Sequence, residues 1–129
     1  MHKSLTRSVV SADSRFALRA DLIVHDNGDL TIVVGGGNDH AGAVALALPR
    51  PSLADPGRQS ATSSVLTVPG HKDDLPAREV AEKVAAATGR NVVAVAGIHY
   101  DGLEPADLQI LRELWTTLIK HIIEMVEDL

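Results

Sequence analysis

The sequence predicts a small two-layer α/β protein of the α+β type, with a mainly antiparallel sheet and two helices on one face, in the order ββββαβα. Three observations predict it. Apolar residues alternate on both sides of an Asn-Gly turn at 27–28, a short apolar run fills 91–96, and a long helical periodicity follows Pro105. The length of 129 residues corresponds to one domain that can bury its own core.

The first predicted element is a hairpin. Residues 1–12 show no clear periodicity and are interpreted as a flexible N-terminal arm, so the folded domain is expected over 13–129. From 16 to 24 apolar residues occupy every second position, which is typical of a strand with one buried face. Asn27-Gly28 predicts a type I′ turn, in which both central residues have positive φ, and 30–34 is the return strand.

Two more strands follow. The glycines at 35–37 are expected to interrupt the sheet, and 41–48 predicts a third strand of small residues. Prolines 49 and 51 are expected to end that strand, because proline has no N–H to donate. Residues 51–59 then form a polar loop, and 60–68 predicts the fourth strand.

The remainder of the chain predicts helix, strand and helix. Asp73 or Asp74 suits the N-cap of the first helix, and Gly89 suits its left-handed end. The continuous apolar run at 91–96 is typical of a central strand. The helix that begins at Pro105 is apolar over more than half of its circumference, so it must be covered on two sides. One cover is the sheet, and the other is the first helix or a second subunit.

Composition excludes several classes of function. The net charge of −5 and the absence of a Lys/Arg cluster argue against nucleic acid. Without cysteine there are no disulfides, thiolate nucleophiles or Fe–S clusters, which fits a reducing cytoplasm. No secretory signal and no stretch of about 18 apolar residues is found, so a soluble, cytoplasmic protein that does not enter a membrane is expected. One Phe, one Trp and one Tyr offer few rings to a planar ligand.

The unusual residues gather in loops, and each allows two interpretations. The glycine-rich segment 35–42 lets backbone N–H groups approach an anion closely, or it is a plain connection. Arg50, held between two prolines, suits a phosphate or a carboxylate, or it is a surface arginine. Ser63 and Ser64 either line a ligand or belong to the solvent face of a strand.

Three histidines lie beside acidic residues in separate loops. His40, His71 and His99 each have an aspartate within two residues, so convergence of the loops would create a site for Zn, Mn or Fe. His71 and Lys72 also precede a predicted helix, where the helix dipole and the cationic side chains together suit a phosphate. Both interpretations stay open on spacing alone.

Three segments together resemble a known family. They are GGGNDHAGAVALALPRPS at 35–52, SATSSVLTVPGHKDD at 60–74 and VVAVAGIHYDG at 92–102, followed by the long terminal helix. In this order and spacing the chain resembles, over about 12–128, the LpdD-like prenylated-flavin chaperones. That family is also described as the small D subunit of hydroxyarylic acid (gallate or 4-hydroxybenzoate) decarboxylases.

The resemblance implies a non-catalytic chaperone for prenylated FMN, or for FMN itself. Such a protein would take the reduced cofactor from a UbiX-type flavin prenyltransferase and deliver it to a UbiD-type apo-decarboxylase. It also implies a fold similar to the proteasome-assembly-chaperone domains, and a homodimer or higher homo-oligomer. The open alternatives are a metal-dependent enzyme, an accessory decarboxylase subunit, and an assembly module without a ligand.

Site roles follow from side-chain chemistry under this resemblance. The glycine loop, Arg50, the serines and the His71-Lys72 pair would hold phosphate and ribityl oxygens, while His40 and His99 would meet the ring system. Tyr100 is the one nearby residue expected to stack. The cofactor-binding residues predicted are Gly36, Gly37, His40, Arg50, Ser52, Ser63, Ser64, His71, Lys72, His99 and Tyr100.

Overall fold

The computed structural model describes residues 2–70 and 72–129, which form one six-stranded sheet and two helices. The sheet order is β1-β2-β3-β6-β4-β5, with β3 and β6 parallel and the other described neighbours antiparallel. The predicted α+β fold class is therefore confirmed. The elements are β1 (Lys3–Val10), β2 (Ala17–Val24), β3 (Leu30–Gly37), β4 (Ala43–Pro51), β5 (Gln59–Thr67), α1 (Asp74–Thr88), β6 (Val92–His99) and α2 (Pro105–Glu127).

Both helices pack on the same face of the sheet and enclose the core. α1 lies over β4, β5 and β6, while α2 lies over β1 and β2. The alternation that predicted β2 is confirmed, because every second residue of that strand is buried against the helices. The largest side chains that are completely buried in this core are Leu18, Leu22, Leu30, Ile32, Val34, Val80, Val84, Val92, Leu118 and Ile122.

The N-terminal segment is a strand, so the prediction of a flexible arm over 1–12 is wrong. β1 pairs with β2 along its whole length, from Lys3 opposite Val24 to Val10 opposite Ala17. Its inner face carries Arg7, whose Nε donates to His121 Nδ1 of α2 at 3.2 Å. A charged residue between the inward apolar positions breaks the alternation by which a strand is recognised in sequence.

The hairpin of β2 and β3 is confirmed, but its predicted turn type is wrong. In this turn Gly28 has a positive φ, 93°, and Asn27 does not. The Gly28 N–H donates to the His25 carbonyl at 2.9 Å, which closes a turn over 25–28. Gly28, the last residue of this turn, has the left-handed conformation. A type I′ turn needs two positive φ values, whereas this longer loop needs only the glycine.

Neither the glycines nor the prolines end their strands where the sequence suggested. β3 continues to Gly37, which pairs with His99 at the end of β6. β4 continues to Pro51, because β6 pairs with β4 only as far as Ala47. Pro49 and Pro51 therefore lie where β4 is an edge on one side, and no partner there requires an N–H.

The helix boundaries agree with prediction. Asp73 is the N-cap residue of α1, and Gly89 ends that helix in the left-handed conformation with φ 70°. α2 begins at Pro105, and its first turn is closed by reciprocal bonds between Glu104 and Asp107. Over the described part of the chain, neither helix combines the length and apolar character needed to cross a bilayer.

The second face of the sheet, called the open face below, has no described helix or loop packed across its centre. The strand residues that alternate with the core positions point to it. Its exposed large apolar residues are Ile23, Val33, Val44, Leu46, Leu48 and Leu66.

Candidate functional site

Three loops meet at one end of the sheet. β3 and β6 are parallel, and β5 runs in the same direction because β4 is antiparallel to both β5 and β6. The carboxyl ends of these three strands therefore share one edge. Loop 38–42 begins there, loop 68–73 leads from there into α1, and loop 100–104 leads into α2.

Asp73 joins loop 38–42 and the end of β6 to the start of α1 through its carboxylate. Its Oδ1 accepts a hydrogen bond from the Ile98 N–H at 3.1 Å, and its Oδ2 lies 2.8 Å from Nε2 of His40. The residue is only 5% exposed. Although Asp73 is the N-cap residue of α1, its side chain makes no capping bond, because it points to the loops.

The surroundings of His40 favour its charged form. Nδ1 lies 3.1 Å from the Asn38 carbonyl, and Nε2 faces the Asp73 carboxylate. Both neighbours are acceptors, so a ring that donates from both nitrogens fits best. The pKa of His40 is accordingly raised, by the bond to the Asn38 backbone first and then by Asp73.

Glycines make this contact between loops possible. A Cβ at Gly97 would overlap the backbone of His40, and a Cβ at Gly42 would overlap the Asp73 carboxylate. Gly37, with φ 64°, lies against the His99 carbonyl in the same way. The glycines of this end are therefore needed for close packing of protein on protein. The sequence had suggested that they cradle an anion.

His99 and Tyr100 lie beside this cluster. His99 Nε2 is 2.8 Å from Asp101 Oδ1. The Tyr100 hydroxyl donates to the Ala17 carbonyl at 2.7 Å and lies 2.9 Å from the Ala17 N–H, which donates to it. Its ring meets Phe16 edge-on at 5.0 Å between centroids. Tyr100 thus fastens loop 100–104 to the start of β2.

A cleft of about 690 Å³ opens next to the cluster, between the start of α1 and the first half of α2. Asp73 belongs to both the cluster and the cleft wall. Lys72, just before α1, and Arg112, on α2, supply positive charge. Trp115 of α2 supplies an aromatic wall. The remaining lining residues are Leu18, Leu75, Pro76, Glu79, Ile98, Leu108, Leu111 and Thr116.

Sequence reasoning missed Arg112 and Trp115. Trp115 fits the apolar period of α2, and the structure confirms that it belongs to the core, although it also lines the cleft. An arginine on a helix is usually solvated. The available signal was their spacing of three residues, which places them on one side of the helix. Trp115 is thus a ring beside the cleft, and the stacking role of Tyr100 stays a prediction.

Arg50 and Ser52 lie at the opposite end of the sheet. β4 runs from Ala43, opposite Ala96, to Ala47, opposite Val92, so its later residues extend beyond the start of β6. Arg50 Nε donates to the Thr62 hydroxyl, and the guanidinium also donates to the Pro51 carbonyl at 3.0 Å.

The two predicted serines point to different faces. Ser63 pairs with Ala47 and donates to Glu82 of α1, whereas Ser64 pairs with Leu46 on the open face. His71 lies outside the described residues. Of the predicted set, Gly36, Gly37, His40, Lys72, His99 and Tyr100 are at the end of the sheet where the three loops meet.

Within residues 2–70 and 72–129, no group of three acidic or histidine side chains is close enough to hold a metal ion. His40 and His99 each bond to a different aspartate. The metal-dependent alternative therefore depends on His71.

Comparison with known proteins identifies one domain and one fold. Residues 12–127 match the family model of the prenylated flavin chaperone LpdD-like domain. A solved structure from a chaperone complex for yeast 20S proteasome assembly aligns with a TM-score of 0.60 and 14% identity, covering 98% of this chain and 96% of that one. The likeness concerns the fold. A search of curated proteins gives no match.

Proposed function

The chain belongs to the family of prenylated flavin chaperone LpdD-like domains, and on that premise we propose that it is a non-catalytic carrier of reduced prenylated FMN. In this proposal it accepts the cofactor from a UbiX-type flavin prenyltransferase and passes it to a UbiD-type apo-decarboxylase. The single observation that carries the proposal is the cleft between α1 and α2, which combines apolar walls with two cationic side chains.

The cleft suits a phosphorylated ring compound. Its volume of about 690 Å³ lies within the roughly 300–1,000 Å³ that is usual for small-molecule sites. Leu108, Leu111 and Trp115 give an apolar and aromatic surface for a ring, and Lys72 and Arg112 can pair with a phosphate. Arg50 and Ser52 take no part in this proposal, because they lie at the other end of the sheet.

The chemistry of the site suits a carrier. Both carboxylate oxygens of Asp73 and both ring nitrogens of His40 already have partners within the protein. These groups therefore hold loops together. Lys72 and Arg112 are exposed, and a charge pair in contact with water is weak. Weak binding of the phosphate favours release of the cofactor to the next protein.

The chain contains a single tryptophan, which makes the test direct. Trp115 lines the cleft, so a flavin bound there should quench its fluorescence in a saturable way during an anaerobic titration with reduced prenylated FMN. Arg112→Gln and Lys72→Gln should each weaken binding by about 2- to 5-fold, the effect of losing one solvent-screened ion pair. Arg50→Gln is the matched control and should bind as the unmodified chain does.

Two results would overturn the proposed site. One is a titration with neither quenching nor a rise in melting temperature. The other is a larger loss of affinity for Arg50→Gln than for Arg112→Gln. Delivery is tested separately, by adding the loaded chain to a UbiD-type apo-decarboxylase. The decarboxylase should gain activity, and the chain alone should give no turnover.

A further inference from the structure

We infer that the tip of the hairpin formed by β4 and β5 is a docking site for an acidic segment of a partner protein. A cavity of about 360 Å³ lies there, at the end of the sheet opposite the cleft. Arg50 and Arg58 line it together with three prolines, two glycines and Gln59, so none of the described lining residues is acidic. The cavity is therefore cationic, although the whole chain carries a net charge of −5.

The cavity exists because β4 extends beyond its neighbour in the sheet. β6 pairs with β4 only as far as Ala47, so residues 48–51 continue past the start of β6. Pro49 and Pro51 suit this overhang, since a residue without an N–H leaves no donor unpaired at a strand edge. Gly89, the left-handed end of α1, also lines the cavity. Elements distant in sequence thus build one recess.

The loop that completes the cavity is held by its own hydrogen bonds. The Ser52 N–H donates to the Arg58 carbonyl at 2.7 Å, and the Arg58 N–H donates to the Asp55 carbonyl at 2.9 Å. Asp55, the acidic residue of this loop, accepts the Gly57 N–H at 3.3 Å and does not line the cavity. A loop fixed in this way loses little conformational freedom when it binds a partner.

The charge of both arginines is available to a ligand. Arg50 donates to the Thr62 hydroxyl and to the Pro51 carbonyl, which are neutral acceptors. No described residue forms an ion pair or a hydrogen bond with the side chain of Arg58. The Ala85 carbonyl, at the partially negative end of α1, is already satisfied by hydrogen bonds within the chain. Because a guanidinium pairs with a carboxylate through two parallel hydrogen bonds, the two arginines can hold two neighbouring carboxylates.

The exposure of this site favours a protein segment over a small free anion. Arg50 is half-buried and Arg58 is exposed, so one ion pair with a small anion would be screened by water and weak. An acidic segment brings several carboxylates to both arginines at once, and it can add apolar contact with Leu53, which is 88% exposed in the same loop. The prolines offer a surface that loses almost no side-chain entropy on binding. A segment in which acidic and apolar residues alternate therefore fits best.

Fluorescence anisotropy of the full chain with a labelled peptide tests the inference. The probe is a fluorescein-labelled peptide of alternating glutamate and leucine, about eight residues long, which at roughly 3.3 Å per residue is enough to cross the cavity. At low ionic strength the anisotropy should rise in a saturable way. Arg58→Gln and Arg50→Gln should each weaken binding by about 2- to 5-fold, the effect of losing one solvent-screened ion pair. Arg78→Gln is the matched control, because it removes the same charge from an exposed position of α1 outside the cavity, and it should bind as the parent chain does.

Several results would overturn the inference. One is the absence of a saturable rise, and another is equal affinity for a peptide with glutamine in place of glutamate. Equal losses for Arg58→Gln and Arg78→Gln would mean that the peptide responds to net charge and not to the cavity. Release of the peptide by inorganic phosphate, but not by sodium chloride at the same ionic strength, would mean that the cavity holds a small free anion. The cleft takes no part in these measurements, so their failure leaves the carrier proposal untouched.

Discussion

Asp73→Ala should destabilise the protein by about 2–4 kcal/mol, because one carboxylate fastens both loop 38–42 and β6 to the start of α1. The Ile98 N–H would lose its acceptor in a place where water has little access, since Asp73 is only 5% exposed. A buried donor without a partner costs about 1–3 kcal/mol. His40 would lose its anionic partner at 2.8 Å, and hydrogen bonds to charged groups contribute about 1.5–3 kcal/mol. The two losses share one side chain, so they add incompletely.

Urea unfolding followed by Trp115 fluorescence measures this loss. At this size 1 kcal/mol corresponds to about 4 °C in melting temperature, so Asp73→Ala should melt about 8–15 °C lower. Asp73→Asn keeps an oxygen for the Ile98 N–H and removes the charge, so it should lose about half as much. Asp39→Ala changes an exposed carboxylate in the adjoining loop and should stay within about 0.5 kcal/mol.

Two outcomes would refute this reasoning. A loss below about 0.5 kcal/mol for Asp73→Ala would mean that the carboxylate does not hold the loops. Equal losses for Asp73→Ala and Asp73→Asn would mean that the bond to the Ile98 N–H contributes nothing.

Three further predictions concern the same end of the sheet. Gly97→Ala should cost at least about 2 kcal/mol, because its Cβ meets the His40 backbone, whereas Gly57→Ala should be nearly neutral; chemical denaturation compares them. Because the pKa of His40 is raised in the folded state, its contribution to stability is complete below about pH 6.5 and is lost as the pH rises through the raised value. The melting temperature of the parent chain relative to His40→Gln should therefore be constant below about pH 6.5 and fall as the pH rises above it, and a difference that does not change with pH would contradict this. Tyr100→Phe removes both hydrogen bonds to Ala17 and should cost about 1–2 kcal/mol in the same urea assay, so an unchanged midpoint would argue against that anchor.

Local signals carried most of the fold prediction. The hairpin of β2 and β3, the ends of α1 and the start of α2 depend on residues within one or two turns of one another, so spacing and capping chemistry predict them. β1 was not predicted because Arg7 interrupts its apolar alternation, and because α2, which covers it, is distant in sequence. The extension of β4 through Pro51 was not predicted, because it depends on where the pairing of β4 with β6 ends, and β6 is distant in sequence.

The site was predictable in part for the same reason. Loops that follow strands of one direction must meet at one edge, so the approach of His40 to Asp73 and Ile98 follows from topology. The position of Arg50 required the direction and length of β4. Arg112 required the rotation of α2 about its axis, which a broad apolar stripe leaves undetermined.

The central place of β6 has a consequence for how the molecule is made. β1, β2 and β3 form one antiparallel group and β4 with β5 another, and β6 is the strand that hydrogen-bonds to both groups. A ribosome releases both groups before it reaches Val92, so each exposes an unsatisfied edge in the meantime, about 10 Å from the other in the finished sheet. The sheet is completed late, when β6 inserts between the exposed edges of β3 and β4. The nascent chain is therefore most vulnerable to wrong strand pairing just before residues 92–99 emerge.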